Sequence, residues 1–244
     1  MIDFKLTYHR YSECTILVEW PKRIGQDVLK DVLLYKNHLK KSGIKSIIEV
    51  NSAYNSILIF YRDTIDNIND AFYELKQHYE HRKANLNSMN RLWKIPVCYD
   101  ADFGWDLEEM SIAKKMTVDA IIAIHTDTIY TVFFIGFLPG FLYLGGLDAR
   151  LEFPRKKSPR QHIEKGAVAI GGNQTGVYPN KSPAGWNIIG NCPLELFDVT
   201  NPDPCFARAG DRIQFYKVDL KEYREITDQV SAGVYQITNE YLNG

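Results

Sequence analysis

The chain has 244 residues, 45% of them apolar, with 29 basic and 30 acidic side chains and a net charge of −1. That length suits one large β domain or two ordinary ones, and the apolar share is ample for a core. The near-neutral charge offers no basic face for nucleic acid, MIDFKLTYHRYSE lacks the pattern of a secretory signal, and no apolar run reaches bilayer-spanning length, so a cytoplasmic protein is expected.

In chain order, Phe4–Tyr8 is a candidate first strand, and Thr15–Trp20 is β-rich and stopped by Pro21. Asp27–Lys41 carries Val28, Val32, Tyr35 and Leu39 at helical spacing. Ile44–Val50 and Ser56–Tyr61 read as a strand pair turning at Ser52–Asn55, and Ile68, Phe72, Leu75 and Tyr79 form a second helical stripe. This β-β-α-β-β-α order predicts a small sheet with two helices on one face. Glu80–Met89 is polar and aperiodic, a candidate linker.

Strand character resumes at Arg91–Val97. Two helical segments follow, Leu107–Met116 and one capped by Thr117 that runs through Val118, Ile121 and Ile122 to about His125. From Tyr130 to Tyr216 the pattern is short strands and Gly/Pro turns, closing with Gly210–Asp211 before Arg212–Tyr216, which predicts a barrel or sandwich. The tail suggests a helix at Glu222–Val230 and an extended piece at Val234–Ile237. The expected domains are an N-terminal α+β domain at 1–85, a β-barrel at 90–218 and a tail at 219–244.

Polar chemistry concentrates between Phe133 and Phe197, amid dense glycine and proline. Arg155 and Arg160 each offer a planar fork to a carboxylate or phosphate, or else are surface arginines. Gly171–Gly176 reads GGNQTG; without the Lys-Ser/Thr ending and a following helix it is not a P-loop. A turn aiming Gln174 and Thr175 into a cleft, or a plain barrel hairpin, both fit it. Tyr178 and Trp186 are groove walls or core anchors, with core favoured for Trp186.

His125 at a helix end reads as a dipole partner and His162 as solvated. Cys14, Cys98, Cys192 and Cys205 show no CxxC spacing and read as unpaired thiols, Cys192 included. No His or carboxylate pair has metal-ligand spacing, and neither a nucleophile elbow nor HExxH is present. A self-sufficient hydrolase or metalloenzyme is therefore not indicated.

GFLPGFLYLGGL, SPRQHIEKGAVAIGGNQTGVYP and SPAGWNIIGNCPLELFD resemble the signatures of the allophanate hydrolase subunit 1 family, which includes the B-type subunits of 5-oxoprolinase and the sensor-kinase inhibitor KipI. IPVCYDADFGWDLEEM and YSECTILVEW extend the resemblance over nearly the whole chain. It departs from the family pattern at Asn173 and Ala184. The resemblance implies an α+β fold: a small N-terminal sheet domain followed by a cyclophilin-like β-barrel.

It further implies a non-autonomous member of an ATP-dependent 5-oxoprolinase complex that opens 5-oxo-L-proline to L-glutamate, with ATP used by the complex and with C-type and A-type 5-oxoprolinase proteins as partners. KipI-like inhibition of a sensor histidine kinase and a place in allophanate or urea metabolism are the alternatives it leaves open. Carried onto this chain, the groove candidates are Arg160, Gln174, Thr175, Tyr178, Ser182, Pro183 and Trp186, beside Arg155 from the reading above. Phe137, Phe141 and Tyr143 are candidates for an apolar partner surface.

Overall fold

A computed structural model describes residues 3–82 and 90–242. The chain divides into two compact units, Met1–Ser88 and Met89–Gly244. Of the expected linker, Glu80, His81 and Arg82 are described, and 83–89 lie outside the described residues.

In the first unit, strands β1 (Thr7–Ser12), β2 (Thr15–Glu19), β3 (Ile47–Ala53) and β4 (Ser56–Tyr61) form an antiparallel sheet in the order β1-β2-β4-β3. Helices α1 (Gln26–Lys41) and α2 (Ile68–Glu80) cover one face. Period-two alternation sends Ile16, Val18, Ile57 and Ile59 into the core, where they meet Val28, Val32, Tyr35 and Leu39 of α1 and Leu75 and Tyr79 of α2. The Asn67 side chain caps α2 by accepting from the N–H groups of Asn69 and Asp70. The first strand lies later than expected, because Thr7 is the first residue in register with β2, opposite Glu19. Phe4 and Leu6 pack on the edge of the core instead.

One charged cluster is built into this unit. Asp31, 5% exposed, accepts from Trp20 Nε1 at 2.8 Å, Tyr79 OH at 2.7 Å and Arg82 Nε at 3.0 Å. The Arg82 guanidinium also lies 3.5 Å from the Tyr79 ring centroid, so both charges are enclosed and saturated.

The second unit is a closed barrel. Its strands are β5 (Arg91–Cys98), β6 (Ile129–Ile135), β7 (Leu142–Gly145), β9 (Ala167–Gly171), β10 (Gln174–Val177), β12 (Asn187–Asn191) and β13 (Arg212–Val218). They follow the order β12-β9-β10-β7-β6-β13-β5, and the pairing of Asn191 with Cys98 closes the circle. β5 and β13 run parallel, and the other pairs are antiparallel. Strands β8 (Arg160–Ile163) and β11 (Ser182–Ala184) form a separate two-stranded ribbon.

Inward residues fill the barrel with Ile95, Val97, Tyr130, Val132, Leu142, Leu144, Val168, Ile170, Val177, Ile189, Ile213 and Phe215. Helices α3 (Leu107–Lys114) and α4 (Val118–Asp127) add Met110, Ile121 and Ile122 to the same core. Thr117 caps α4 as its sequence predicts.

Residues 219–242, set off as a tail on sequence, are part of the second unit. Helix α5 (Leu220–Ser231) buries Ile226 in the barrel core cluster, and β14 (Asn239–Tyr241) pairs with the first residues of β5. The expected extended piece at Val234–Ile237 therefore lies too early: Tyr235 and Ile237 pack against the core, and the paired strand follows them. Between β12 and β13 the chain runs without strands, although Leu194, Leu196 and Ala207 on it are buried.

Asp31→Ala leaves the Arg82 guanidinium, 1% exposed, without its buried carboxylate. Loss of one partner of such a pair costs about 3–5 kcal/mol, so urea unfolding of the variant is expected to show a first transition moved to markedly lower denaturant. An unchanged profile would show that the cluster contributes nothing to stability.

Candidate functional site

The outer face of β9 and β10 carries little side-chain bulk. With Val168, Ile170, Thr175 and Val177 pointing inward, the outward positions are Ala167, Ala169, Gly171, Gln174 and Gly176. A Cβ at Gly171 would lie 2.4 Å from the Trp186 ring, and one at Gly176 would lie 2.8 Å from the Leu142 carbonyl and 3.1 Å from the Phe141 ring. The glycines of GGNQTG thus let aromatic rings lie directly on the sheet.

A second apolar cluster results, built from Phe141, Tyr178, Trp186, Ile163, Ala184 and Ile188, with Tyr143 partly buried against it. Phe141 meets Tyr178 at 4.9 Å and Trp186 at 5.8 Å, both edge to face, and Phe134 stacks on Tyr143 at 4.2 Å. Burial raises the Tyr178 hydroxyl to about 12 and also raises that of Tyr143, where the nearby Arg155 charge opposes the rise. Both phenols are neutral donors at ordinary pH.

The two arginines have different fates. Arg155 is exposed, stands 5.5 Å from the Trp186 ring centroid and makes no ion pair among the described residues. Arg160 is occupied: its Nη1 and Nη2 donate to the two carboxylate oxygens of Asp106 at 2.9 and 2.7 Å. Asp106, only 2% exposed, also accepts from Lys156 Nζ at 2.8 Å and from the Ile188 N–H at 2.6 Å. Burial pushes the Asp106 carboxyl up, but Arg160, Lys156 and the Ile188 N–H outweigh it and leave it below the ordinary carboxylate value. The fork expected to face a ligand is therefore closed on the protein's own carboxylate.

Thr175 points into the barrel, away from the outer face. It is fully buried, and its hydroxyl donates to the Ala169 carbonyl at 3.0 Å, so it accepts from His125 Nε2, also at 3.0 Å. His125 Nδ1 is then the acceptor for the Tyr99 hydroxyl at 2.7 Å. Burial lowers the His125 pKa to about 3, so the ring is neutral, and it stacks on Phe215 at 4.7 Å. His125 is a satisfied core residue and not merely a partner of the helix dipole, because α4 inserts it fully into the barrel.

Gln174 lies on the outer face, 9% exposed. Ser182 is 8% exposed, and its Oγ has no hydrogen-bond partner among the described residues. Pro183, next to it on β11, is exposed. Cys192 is buried, and burial raises its thiol to about 12, which removes it as a nucleophile at ordinary pH. The structure thus gathers Arg155, Tyr178 and Trp186 with Phe141 and Tyr143, and assigns Arg160 and Thr175 to internal contacts; Trp186 and Tyr178 are core anchors, and Phe141, 1% exposed beneath them, is not the partner surface expected of it. Asp106 was missed on sequence, where it reads as one acid of a helix start, and only its distant partners Lys156, Arg160 and Ile188 reveal it. Among the described residues no group of three His, Cys, Asp or Glu side chains converges as a metal ligand set.

The barrel thus has an outer face cleared by glycines for a buried aromatic cluster, beside an exposed arginine. The chain belongs to the family of the carboxyltransferase domain, subdomains C and D, whose profile matches residues 6–207. Its relatives include the B-type 5-oxoprolinase subunit of Bacillus subtilis (strain 168), 34% identical over 228 residues that make up 89% of this chain and 95% of that protein. The B-type 5-oxoprolinase subunit of Haemophilus influenzae is 38% identical over 207 residues, 84% of this chain and 94% of that protein. Among solved structures, TTHA0988 superposes with a TM-score of 0.72 at 28% identity, covering 84% of this chain and 40% of the length of that one.

Arg160→Lys is expected to lower stability by about 1.5–3 kcal/mol, since a two-point bond to a buried carboxylate becomes a single contact. The pH dependence has a defined sign. The folded Asp106 pKa is depressed, so its contribution is complete above the unfolded value of about 3.9 and fades as pH falls through the lower folded value. Wild type and Asp106→Asn should therefore converge in stability toward acid pH in chemical unfolding. A gap that stays constant at every pH would remove Asp106 from this role.

Proposed function

We propose that this chain is the B-type subunit of an ATP-dependent 5-oxoprolinase, which opens the lactam of 5-oxo-L-proline to L-glutamate together with A-type and C-type partner proteins. The observation that carries this reading is the 34–38% identity to B-type 5-oxoprolinase subunits over 84–89% of the chain. The site chemistry supports it. The substrate is a small ring with one carboxylate, and the outer face offers the partly exposed Tyr143 at the edge of a buried aromatic cluster, beside an exposed guanidinium.

In this reading Arg155 takes the carboxylate and the partly exposed Tyr143 borders the ring, with Trp186 and Tyr178 buried behind them. Gln174 and Ser182 serve its amide, and Pro183 borders the opening. Arg160 and Thr175 support the site from behind. The chain has no phosphate loop, so ATP is engaged elsewhere in the complex. The partner surface centres on Phe137, 65% exposed and held at φ 67°, a left-handed backbone that an exposed phenylalanine adopts at a cost. Beside it lies a cavity of about 360 Å³ lined by Ile135, Leu138, Pro139 and Phe197.

The test is reconstitution. The purified chain is expected to be inactive on 5-oxoproline alone and active, with ATP consumed, once its A-type and C-type partners are added. Arg155→Lys is expected to raise KM by about ten- to a hundredfold, the worth of one charge-assisted hydrogen bond. Phe137→Asp is expected to reduce copurification with the C-type partner. A reconstituted complex that leaves 5-oxoproline intact would overturn the reading, and capture of a sensor histidine kinase whose phosphorylation the chain blocks would replace it with the inhibitor alternative.

A further inference from the structure

Building on the proposed role of Arg155, we infer that Asp106 is the positioning residue for that arginine: acting through Lys156 and Arg160, it holds the segment 153–160 so that the Arg155 guanidinium stands over Trp186.

Arg155 is exposed and makes no ion pair among the described residues, so its place is set by its neighbours in the chain. On the upstream side, Phe153 and Gly172 exchange two backbone hydrogen bonds of 3.1 and 2.7 Å, and Asn187 Nδ2 donates to the Pro154 carbonyl at 2.9 Å. On the downstream side, the Lys156 N–H donates to the Gly185 carbonyl at 2.8 Å and Arg160 pairs with Ala184 where β8 meets β11, so that 157–159 lie between two backbone ties. Asp106 joins the two ends through their side chains. Its carboxylate takes Lys156 Nζ at 2.8 Å and the Arg160 fork at 2.9 and 2.7 Å.

The anchor is itself fixed to the floor of the site. Asp106 and Ile188 bond reciprocally: the Asp106 N–H donates to the Ile188 carbonyl at 2.9 Å, and the Ile188 N–H donates to Asp106 Oδ2 at 2.6 Å. Ile188 follows Trp186 by two residues and belongs to the same outer cluster. One carboxylate therefore refers the Arg155 segment to the strand that directly follows its aromatic partner. The ordering entropy of an exposed basic loop is offset by charge-assisted bonds formed once, before any ligand arrives. Asparagine at this position cannot reproduce the arrangement, because its NH₂ group would face the Arg160 or Lys156 donors.

The reconstituted complex tests this with two independent readouts, amide hydrogen exchange over residues 153–160 and steady-state kinetics on 5-oxoproline. The variants are Asp106→Asn, Lys156→Met, Arg155→Lys and the double variant Asp106→Asn/Arg155→Lys. Exchange around Arg155 is expected to quicken in Asp106→Asn and Lys156→Met, with KM raised about tenfold and kcat changed far less. The double variant is expected to be no worse than Arg155→Lys alone, a coupling between residues that do not touch.

Unchanged exchange, or additive effects of Asp106→Asn and Arg155→Lys, would overturn the inference and leave Asp106 a purely structural anchor. Lys156→Met keeps the Asp106–Arg160 fork but also frees Glu109, which Lys156 Nζ meets at 2.7 Å, so with Glu109→Gln as its control it decides the question if Asp106→Asn does not fold: exchange that quickens equally in Glu109→Gln would overturn the role of Asp106. A wild-type complex inactive on 5-oxoproline would overturn the proposed function, while the exchange readout would still decide the positioning role.

Discussion

The second unit depends on a sheet face stripped of side chains. At Gly171 and Gly176 any Cβ would collide with Trp186 or with Phe141 and the backbone beneath it. Alanines at 167 and 169 keep the neighbouring positions low. Large rings then pack directly against the backbone and bury area that the small residues could not supply themselves, at the usual rate of about 25 cal/mol per Å². Because the rings are fixed from below by the sheet, the cluster has a set shape, with Phe141, Tyr178 and Trp186 buried and Tyr143 partly exposed at its edge. The barrel interior, filled with β-branched and aromatic residues, supplies stiffness and leaves the chemistry to the outside.

Charge is sorted in the same way. Asp31 and Asp106 are buried acids, and each is saturated by cations and hydrogen-bond donors from distant parts of its own unit. His125, enclosed by the barrel, is kept neutral by full desolvation and placed in a chain of hydroxyls. Arg155 escapes this sorting, exposed and without an ion pair among the described residues, in a run whose neighbours Lys156 and Arg160 both bind Asp106, Lys156 meeting Glu109 as well.

Much of the fold was legible because local pattern and tertiary role agree. The Val28, Val32, Tyr35, Leu39 stripe marks α1 within a residue, and Thr117 marks the start of α4. The strand at Phe4–Tyr8 was misplaced because Phe4 and Leu6 are apolar for packing and not for pairing, a distinction that composition does not carry. The site was legible as a region but not as roles. Period-two alternation places Thr175 and Gln174 on opposite faces, yet which face is inside follows from the burial of Val168, Ile170 and Val177, and that requires the closed barrel. Arg155 and Arg160 look alike in sequence; the difference lies with Asp106, 54 residues before its partner Arg160.

The parallel pairing of β5 with β13 has a temporal side. Leu92 waits for Arg212, 120 residues further on, and Asn191 completes the ring against Cys98. In the first unit, by contrast, β1 with β2 and β3 with β4 are hairpins, and the sheet joins through β2 and β4 less than fifty residues apart. Closing a long loop must precede any reward from the contacts it brings together, so the barrel is the slow step. As the chain leaves the ribosome, the first unit has every partner it needs while the first barrel strand still has an open edge. The N-terminal unit is then an already folded companion during the interval in which β5 is most prone to pair with the wrong strand.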